Sequence, residues 1–476
     1  MAKPLYHFQK RAIRFVLDKK ARCGIFQEMG TGKTRVTIET ASRIRSCRRI
    51  LVVLPLSAAG VWRREIRKWA PEARSVTATH ASIRLRALRV KHLRERNPAR
   101  RVYLLVGYES FWREPLRKQI LKWEPDMIVY DEAHRLKSWR TRQSKFAHSL
   151  AITDNKIYTP RFILPLTGTP MPNGPQDAFS IFKAFDPSVF GTRYADFEAR
   201  YIKKGGYMGY QIVGYKNQRE LQDKIALHSF RITKAEALDL PPQVDVVIPV
   251  ELSRKGRYYY EKMAKDAIVQ IDEASSRGTA LGRIVLSQEL RLQQIASGFV
   301  RVEEKGEIVT FDTSKRDALK DLLSDVLLSE ECAVVFCRFR RDVENACAVA
   351  QELKADTFRL DGTISQSTRE KYIRQFSNHY SDRPAVLVAQ IQVAALSIDL
   401  TAAHVGIFYS RNWSYLDYDQ ARSRLHRHGQ EHKVTYYHLI ATNTIDEKIQ
   451  QKLANKEEVQ AILLRDKKRA KAFFGG

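Results

Sequence analysis

The sequence has no long apolar run. Its most hydrophobic segments, such as Ile50–Leu54, are only a few residues long, whereas a membrane-spanning helix needs roughly 20. Residues 1–7 also lack the apolar stretch and the small-residue cleavage site of a secretory signal. We therefore expect an intracellular protein, cytoplasmic or associated with the nucleoid, that has no membrane partner.

Cysteine is scarce. The five cysteines form no CxxC pair and their number is odd. This usage favours neither a disulfide framework nor a zinc site. We expect reduced thiols that are mostly buried.

Acidic residues are too few to balance the basic ones. Lys and Arg number 82 against 53 Asp and Glu, which leaves a formal charge of +29. A polyanion that binds such a surface gains from the release of its condensed counterions, so nucleic acid is the expected partner. The alternative is a basic surface that only keeps the protein soluble, because the charge is spread along the chain.

Short β-rich apolar runs alternate with helical patterns in both halves of the chain. This alternation predicts parallel sheets covered by helices, and hence an α/β fold with two parallel-sheet lobes in tandem and helical insertions. The strand candidates are Ile50–Leu54, Val102–Val106, Met127–Tyr130, Phe162–Leu166, Val244–Val250, Ala333–Phe336, Ala385–Val388, Val405–Phe408 and Thr435–Tyr437.

The length of 476 residues exceeds what one hydrophobic core usually supports. We predict a first lobe over residues 1–170 and an aromatic- and glycine-rich insertion on it over residues 171–237. The second lobe is predicted over residues 238–476, with a helical insertion at about 254–300. The turn-forming Leu240–Pro242 marks the boundary between the lobes.

A glycine-rich segment, Glu28–Thr34, follows an apolar run and precedes a helical pattern, which is the context of a phosphate-binding loop. In such a loop the backbone N–H groups around Gly30, Thr31 and Gly32 bind phosphate oxygens. Lys33 meets the β- and γ-phosphates, and the Thr34 hydroxyl ligates Mg²⁺. A strict pattern has glycine at the position of Gln27, so the alternative is a glycine turn that caps a surface helix.

Two carboxylates, Asp131 and Glu132, follow the apolar strand candidate Met127–Tyr130. Open α/β sheets bind ligands at the carboxyl edge of their strands. There Asp131 can hold Mg²⁺ and Glu132 can polarise the water that attacks the γ-phosphorus. The alternative is a pair of acids that stabilise a helix N-terminus.

The full set of motifs resembles that of the Swi/Snf-like DNA translocases of helicase superfamily 2, over nearly the whole chain. Lys33 and Asp131–His134 look like motifs I and II. The other matching segments are Phe8-Gln9, Pro55–Ser57 with Trp62, Glu65 and Trp69, Gly107–Glu109, Leu166–Pro170, Val335–Phe339, Leu360–Thr363, Leu396–Ala403 and Gln420–Gln430. The resemblance implies two RecA-like lobes that use ATP and Mg²⁺ on double-stranded DNA, with RNA and single-stranded DNA left open as partners.

The resemblance also implies roles for single residues. Gln9 reads the adenine, and Arg424 and Arg427 are expected three apart on one helix face, with Arg427 as the arginine finger. A guanidinium at the γ-phosphate stabilises the charge that spreads in the transition state. The residues that link nucleotide state to motion are His134, Thr167, Thr169, Asp399 and Gln420. The expected nucleic-acid contacts are Ser57, Tyr108 and Thr363, for which turn, core and cap positions are the alternatives.

One block departs from the family pattern, because Ala394, Ala395 and Ser397 stand where the family usually has glycine. Coupling between ATP hydrolysis and motion could differ there. The sequence as a whole predicts a motor that hydrolyses ATP between two lobes while it tracks duplex DNA. The alternatives are a strand-separating DNA or RNA helicase, and a nucleic-acid-binding scaffold whose ATP site is inactive.

Overall fold

The computed structural model describes residues 4–96, 100–152, 159–205, 211–276, 281–301, 307–329, 332–379, 383–394 and 398–463. The chain divides between Asp239 and Leu240 into two compact units. Two of the positions that depart from the family pattern, Ala395 and Ser397, lie outside the described residues.

The first unit is built on a seven-stranded parallel sheet with the strand order β3-β4-β2-β5-β6-β1-β9. Its strands are β1 Gly24–Gln27, β2 Arg49–Leu54, β3 Arg74–Thr77, β4 Val102–Gly107, β5 Met127–Asp131, β6 Phe162–Leu166 and β9 Ser229–Ile232, and β7 Ile202–Gly205 pairs with β8 Gln211–Tyr215 in a separate antiparallel hairpin. Its helices are α1 His7–Asp18, α2 Lys33–Arg43, α3 Ala59–Trp69, α4 Ile83–Glu95, α5 Leu116–Trp123, α6 Arg142–Ala151, α7 Gln176–Lys183, α8 Tyr194–Tyr201, α9 Gln218–His228 and α10 Lys234–Ala237.

Both faces of this sheet are covered, which explains why its strands are apolar throughout. Along β2, Ile50 and Val52 face the cluster formed with α1, α2 and α3, whereas Leu51 and Val53 face the cluster formed with α4 to α7. Strand β9 pairs in parallel with β1 and closes one edge of the sheet, although it comes from the range predicted as an insertion. Its Phe230 and Ile232 are buried against the same core as α1.

The second unit is built on a six-stranded parallel sheet with the order β10-β17-β16-β13-β15-β14. Its strands are β10 Gln243–Val250, β13 Cys332–Cys337, β14 Asp356–Leu360, β15 Ala385–Gln390, β16 Val405–Phe408 and β17 Val434–Ala441, with a separate hairpin of β11 Phe299–Arg301 and β12 Ile308–Thr310. Its helices are α11 Arg254–Ser276, α12 Leu281–Ala296, α13 Ser314–Ser329, α14 Arg340–Glu352, α15 Gln366–Ser377, α16 Ile391–Ala394, α17 Tyr415–Leu425 and α18 Ile445–Leu463, of which the part up to Asn455 belongs to this unit.

The second sheet alternates in the same way. On β13, Val334 and Phe336 pack towards α17 and α18, and Ala333 and Val335 pack towards α13 and α14. Each strand candidate from the sequence coincides with an observed strand, and the predicted α/β fold with two parallel-sheet lobes is confirmed. Among the described residues, no helix combines the length and the apolar character needed to cross a membrane.

Candidate nucleotide site and motor residues

The predicted phosphate-binding loop connects the buried strand β1 to helix α2, which begins at Lys33. Gly30 and Gly32 have φ angles of +84° and +88°, which L residues with a side chain rarely adopt. A Cβ on Gly32 would also lie 2.6 Å from Nε2 of Gln9. The two glycines therefore let the backbone make the tight turn that a phosphate cradle needs.

Gln9 connects helix α1 to this loop. Its side chain is almost fully buried, its Nε2 donates a hydrogen bond to the Thr31 carbonyl at 3.2 Å, and its Oε1 accepts one from the Tyr6 backbone N–H at 3.2 Å. The structure thus places Gln9 and Thr31 in direct contact beside Gly32. The adenine-reading role of Gln9 stays a prediction.

The Lys33 ammonium lies over the loop. Its Nζ donates hydrogen bonds to the carbonyl oxygens of Gln27, at 2.9 Å, and Glu28, at 3.3 Å. Both side-chain amide atoms of Gln27 are buried and have no hydrogen-bond partner among the described residues. The Thr169 hydroxyl, which follows the adjacent strand β6, is also buried without a partner among the described residues. Since buried polar groups are normally satisfied, these atoms fit a site that accepts a polar ligand.

Asp131 ends strand β5, two strands from β1 in the sheet. Its Oδ2 accepts a hydrogen bond from the Trp62 indole N–H at 2.8 Å, and its Oδ1 accepts one from the Glu132 backbone N–H at 3.1 Å. Burial and, to a smaller extent, the neighbouring Glu132 carboxylate raise the pKa of Asp131 to about 6, although the hydrogen bond from Trp62 and the charge of Lys33 act in the opposite direction. A divalent cation would relieve this cost of ionisation, so the carboxylate suits Mg²⁺.

Glu132 and three residues predicted to act in coupling lie together. Glu132 has a φ angle of +54°, and its Oε2 lies 3.3 Å from Nδ1 of His134. The same Nδ1 lies 3.3 Å from the Thr167 hydroxyl, which accepts a hydrogen bond from the Thr169 backbone N–H at 3.1 Å. A continuous polar chain therefore joins the end of β5 to the loop after the adjacent strand β6.

Trp62 belongs to a segment that resembles a family motif, but no contact with Asp131 was predicted for it. It lies on α3, is almost fully buried and contacts Asp131 across 69 positions of sequence. The motif that begins at Pro55 includes Trp62, but nothing local shows that its indole would orient a carboxylate.

Replacing Asp131 with asparagine is expected to stabilise the nucleotide-free protein while abolishing its response to Mg²⁺ and ATP. A pKa raised from 3.8 to about 6 means that this group favours folding below pH 4 and loses that contribution as the pH rises through 6. Asparagine keeps an acceptor for Trp62 and carries no charge. Urea unfolding should therefore show Asp131→Asn more stable than wild type by about 2 kcal/mol at pH 8, and by less at pH 5.

The control for this comparison is Asp18→Asn, which removes an exposed carboxylate of the same unit. It should change stability by less than about 0.5 kcal/mol at either pH. Equal or lower stability of Asp131→Asn at pH 8 would show that the carboxylate is not held at an energetic cost.

The second unit carries the two candidate finger arginines. Helix α17 ends at Leu425, so Arg424 lies on its last turn and Arg427 in the turn beyond it. The prediction that both share one helix face is wrong. The helix stops because the His426 side chain bonds the Pro241 carbonyl at 2.8 Å and a glycine with a φ angle of +98°, Gly429, turns the chain.

Arg427 contacts the segment that contains Asp399. Its Nη1 donates a hydrogen bond to the Ile398 carbonyl at 3.2 Å and lies 3.7 Å from Oδ2 of Asp399. Asp399 also accepts hydrogen bonds from the backbone N–H and the hydroxyl of Thr401. Gln420 and Arg424 are both buried on α17. The structure therefore brings the predicted coupling residue Asp399 and the predicted finger Arg427 together.

An ionic network fixes α17 against strand β10. Asp245 accepts a hydrogen bond from Arg422 at 2.7 Å and another from the ring of His438 at 2.8 Å. The Arg422 guanidinium lies over the rings of Tyr418 and Tyr436. Burial alone would raise the pKa of Asp245, but the hydrogen bonds from His438 and Arg422 have the larger combined effect and hold this pKa below its usual value. Nothing in the sequence indicates this network, because Asp245 lies 177 positions from Arg422 and 193 positions from His438.

Replacing Asp245 with alanine is expected to destabilise the protein by about 2 kcal/mol, because Arg422 and His438 would stay buried without their acceptor. This loss of stability is smaller than the roughly 3–5 kcal/mol expected when a fully buried ion pair is broken, because the Asp245 side chain is 40% exposed. The double variant Asp245→Ala/Arg422→Met should recover part of the loss in a double-mutant cycle. Asp239→Ala, which removes an exposed carboxylate six residues before Asp245, is the control, and an equal effect of both single variants would contradict the network's role.

The three predicted nucleic-acid contacts differ in exposure. Ser57 is half-buried in a short 3₁₀ helix, Leu56–Ala58, directly after β2. Thr363 is exposed, and its N–H and hydroxyl donate to Oδ1 of Asp361. Tyr108 is fully buried and packs edge-on against Phe111, so its side chain is part of the core and offers no surface to DNA.

Comparison with known proteins gives both domain and whole-chain matches. An SNF2-related domain matches residues 8–298, and a helicase conserved C-terminal domain matches residues 314–429. An uncharacterized ATP-dependent helicase of Mycoplasma genitalium is 27% identical, over 96% of this chain and 42% of its own length. The human DNA annealing helicase and endonuclease ZRANB3 is also 27% identical, over 98% of this chain and 41% of its own length.

Among solved structures, the Sulfolobus solfataricus SWI2/SNF2 ATPase core in complex with double-stranded DNA is 24% identical and has a TM-score of 0.44, with 99% of this chain and 94% of that chain covered. The chain spans about two fifths of the length of the curated relatives it matches.

Two parallel α/β units with a phosphate-binding loop sequence in the first define a two-lobed protein of the helicase type. The chain belongs to the SNF2-related family, because that family's domain covers more than half of its length and a helicase C-terminal domain follows it. The resemblance to Swi/Snf-like translocases that the motifs indicated is confirmed.

Proposed function

We propose that the protein is an ATP-driven motor that moves along double-stranded DNA without separating its strands. The observation that carries this proposal is the arrangement at the carboxyl edge of the first sheet, where Lys33, Asp131 and Glu132 follow β1 and β5 and a polar chain runs on to Thr167. Membership of the SNF2-related family supports it, as do relatives whose names include ATP-dependent helicase and DNA annealing helicase.

In this mechanism Lys33 and the loop N–H groups bind the β- and γ-phosphates, and Gln9 orients the base. Thr34 and Asp131 are the residues that would hold Mg²⁺, which when bound neutralises phosphate charge. Glu132 polarises the attacking water and takes its proton. Arg427, with Arg424 beside it, supplies positive charge to the γ-phosphate as it transfers.

The coupling residues would sense the nucleotide through Glu132. His134 is within reach of both Glu132 and Thr167, so a change at the γ-phosphate can be passed to the loop after β6. In the second unit, Asp399 touches the finger Arg427, and Gln420 lies one turn before Arg424. Each unit would hold a phosphate backbone in turn, through Ser57 in the first and Thr363 in the second, and advance on closure and reopening.

The formal charge of +29 suits this partner, because backbone contacts to duplex DNA depend on Lys and Arg and give little sequence preference. The protein would then work wherever the cell keeps its DNA, in cytoplasm or nucleoid.

The test measures phosphate release with duplex DNA, single-stranded DNA or RNA, and pairs a triplex-displacement assay with a strand-unwinding assay. We expect duplex DNA to stimulate turnover and the triplex strand to be displaced while the duplex stays paired. Stimulation only by single strands, together with unwinding, would favour a strand-separating helicase. A folded protein without turnover under any condition would be a nucleic-acid-binding scaffold.

A further inference from the structure

Positive charge is concentrated in one segment of the first unit. Residues 63–101 contain 13 Lys or Arg residues and only 3 acidic residues, all glutamate. Of the motifs that define the proposed motor, only the one that begins at Pro55 reaches into this segment, with Glu65 and Trp69 on α3. The structure folds it into the second half of α3, the edge strand β3 and helix α4.

These elements enclose an open cleft of about 480 Å³. We call it the basic cleft, and its lining residues are Arg63, Arg74, Ser75, Val76, Thr77, Thr79, Arg89, His92, Leu93 and Arg96. Four arginines and a histidine thus reach it from three elements, and no acidic side chain lines it. Arg63, Arg74 and Arg96 are exposed, and none of them forms an ion pair with a described residue.

The basic cleft lies at the opposite side of the sheet from the loop that carries Lys33. In the sheet order β3-β4-β2-β5-β6-β1-β9, the edge strand β3 is three positions from β5, which ends at Asp131, and five positions from β1, which precedes that loop. At about 4.8 Å per strand these separations are roughly 14 Å and 24 Å. A ligand that stays within the cleft would therefore bind without touching Lys33 or Asp131.

The free edge of β3 distinguishes between a peptide that would add a strand to the sheet and a ligand that binds only the side chains. The backbone N–H groups of Arg74 and Ala78 donate to the carbonyls of Arg101 and Leu105, on the side of β4. Because successive residues of a strand point their backbone groups in opposite directions, those of Thr77 point to the open edge. There Nη1 of Arg89 donates to the carbonyls of Thr77, at 3.2 Å, and Thr79, at 2.8 Å. An acidic peptide that added a strand would need the Thr77 carbonyl. Because that acceptor is already occupied, the cleft offers guanidinium groups rather than a strand edge.

We propose that the basic cleft binds the phosphate backbone of duplex DNA, as a contact separate from the one that drives ATP hydrolysis. This inference rests on the proposed function. Guanidinium groups bind phosphate oxygens in a two-pronged geometry, and several of them around a concave surface with no competing carboxylate match a polyanion better than a single small anion. The cleft keeps the protein on DNA while the motor's own contacts are released.

The test compares two variants of the full chain that lose the same charge. The cleft variant is Arg63→Gln/Arg74→Gln/Arg96→Gln, which spares Arg89 because it caps the strand edge. The control variant is Arg14→Gln/Lys118→Gln/Arg219→Gln, three exposed residues of the same unit that lie outside the cleft. The readouts are the affinity for a blunt DNA duplex at several salt concentrations, DNA-stimulated turnover at saturating DNA, and the unfolding temperature.

Each lost phosphate contact lowers the slope of log affinity against log salt by about 0.9. We expect the cleft variant to bind roughly 10²-fold more weakly at 0.1 M salt with a slope reduced by about 2 to 3, and the control variant to change much less. Maximal turnover and unfolding temperature should match wild type in both variants.

Equal slopes for the two variants would overturn the inference, and so would a cleft variant that keeps its DNA affinity but loses binding to polyglutamate. A wild-type protein that does not bind duplex DNA at all would contradict the proposed function itself, whereas the outcomes above contradict only the location of the contact. A loss of maximal turnover at saturating DNA in the cleft variant alone would show that the cleft is not separate from the motor.

Discussion

Replacing Arg427 with alanine is expected to lower DNA-stimulated ATP turnover by about 10³-fold, which is the range that a lost arginine finger costs. Its guanidinium stabilises charge that exists only in the transition state, so ATP affinity should change little. The position of Arg427 suits this role. It lies in the turn after α17, one of its donors bonds the Ile398 carbonyl, and its Nε is buried without a partner among the described residues. Turnover and nucleotide affinity should be measured on the same preparation.

Two further variants test the reason behind this prediction. Arg427→Lys keeps the charge but not the planar fork, and should recover only part of the rate. Arg374→Ala removes an exposed arginine of the same unit and should leave turnover at the wild-type value. Wild-type turnover of Arg427→Ala would remove the finger from the mechanism and leave Arg424 as the candidate.

Most of the fold could be predicted because its signals are local. The strands at Ile50–Leu54 and Ala333–Phe336 are short apolar runs between turns, and a sheet buried on both faces needs such runs. The phosphate-binding loop and the Asp131-Glu132 pair were equally visible, because both immediately follow a strand of this kind. Parallel strands then bring them to one edge without any further information.

What the sequence concealed depends on contacts between distant residues. The end of α17 is set by His426 reaching back to Pro241, and the pattern of arginines at 424 and 427 suggests a longer helix. Tyr108 follows a buried strand, where a tyrosine serves equally well as a core residue or a surface contact. The contact of Trp62 with Asp131 is invisible for the same reason, since it depends on how α3 packs on the sheet.

Replacing Glu132 with glutamine is expected to lower turnover by about 10²- to 10⁴-fold, the usual contribution of a general base, while ATP and Mg²⁺ still bind. Glutamine has the same shape and can still contact Nδ1 of His134, which lies 3.3 Å from Oε2 of Glu132, but it cannot take a proton from water. The variant should therefore accumulate the ATP-bound state. Single-turnover hydrolysis and equilibrium binding of a fluorescent ATP analogue would measure the two steps separately.

The neighbouring Asp131→Asn serves as the matched control, because it removes the adjacent carboxylate and should lose the binding of Mg²⁺ and ATP itself. If these two variants show the same defect, binding and proton transfer are not divided between the carboxylates as proposed. Their different surroundings argue for the division. Asp131 is held rigidly by the Trp62 indole and a backbone N–H, as a metal ligand should be, whereas Glu132 adjoins the polar chain through His134 to Thr167. A base at that position can report the state of the γ-phosphate to the loop that follows β6.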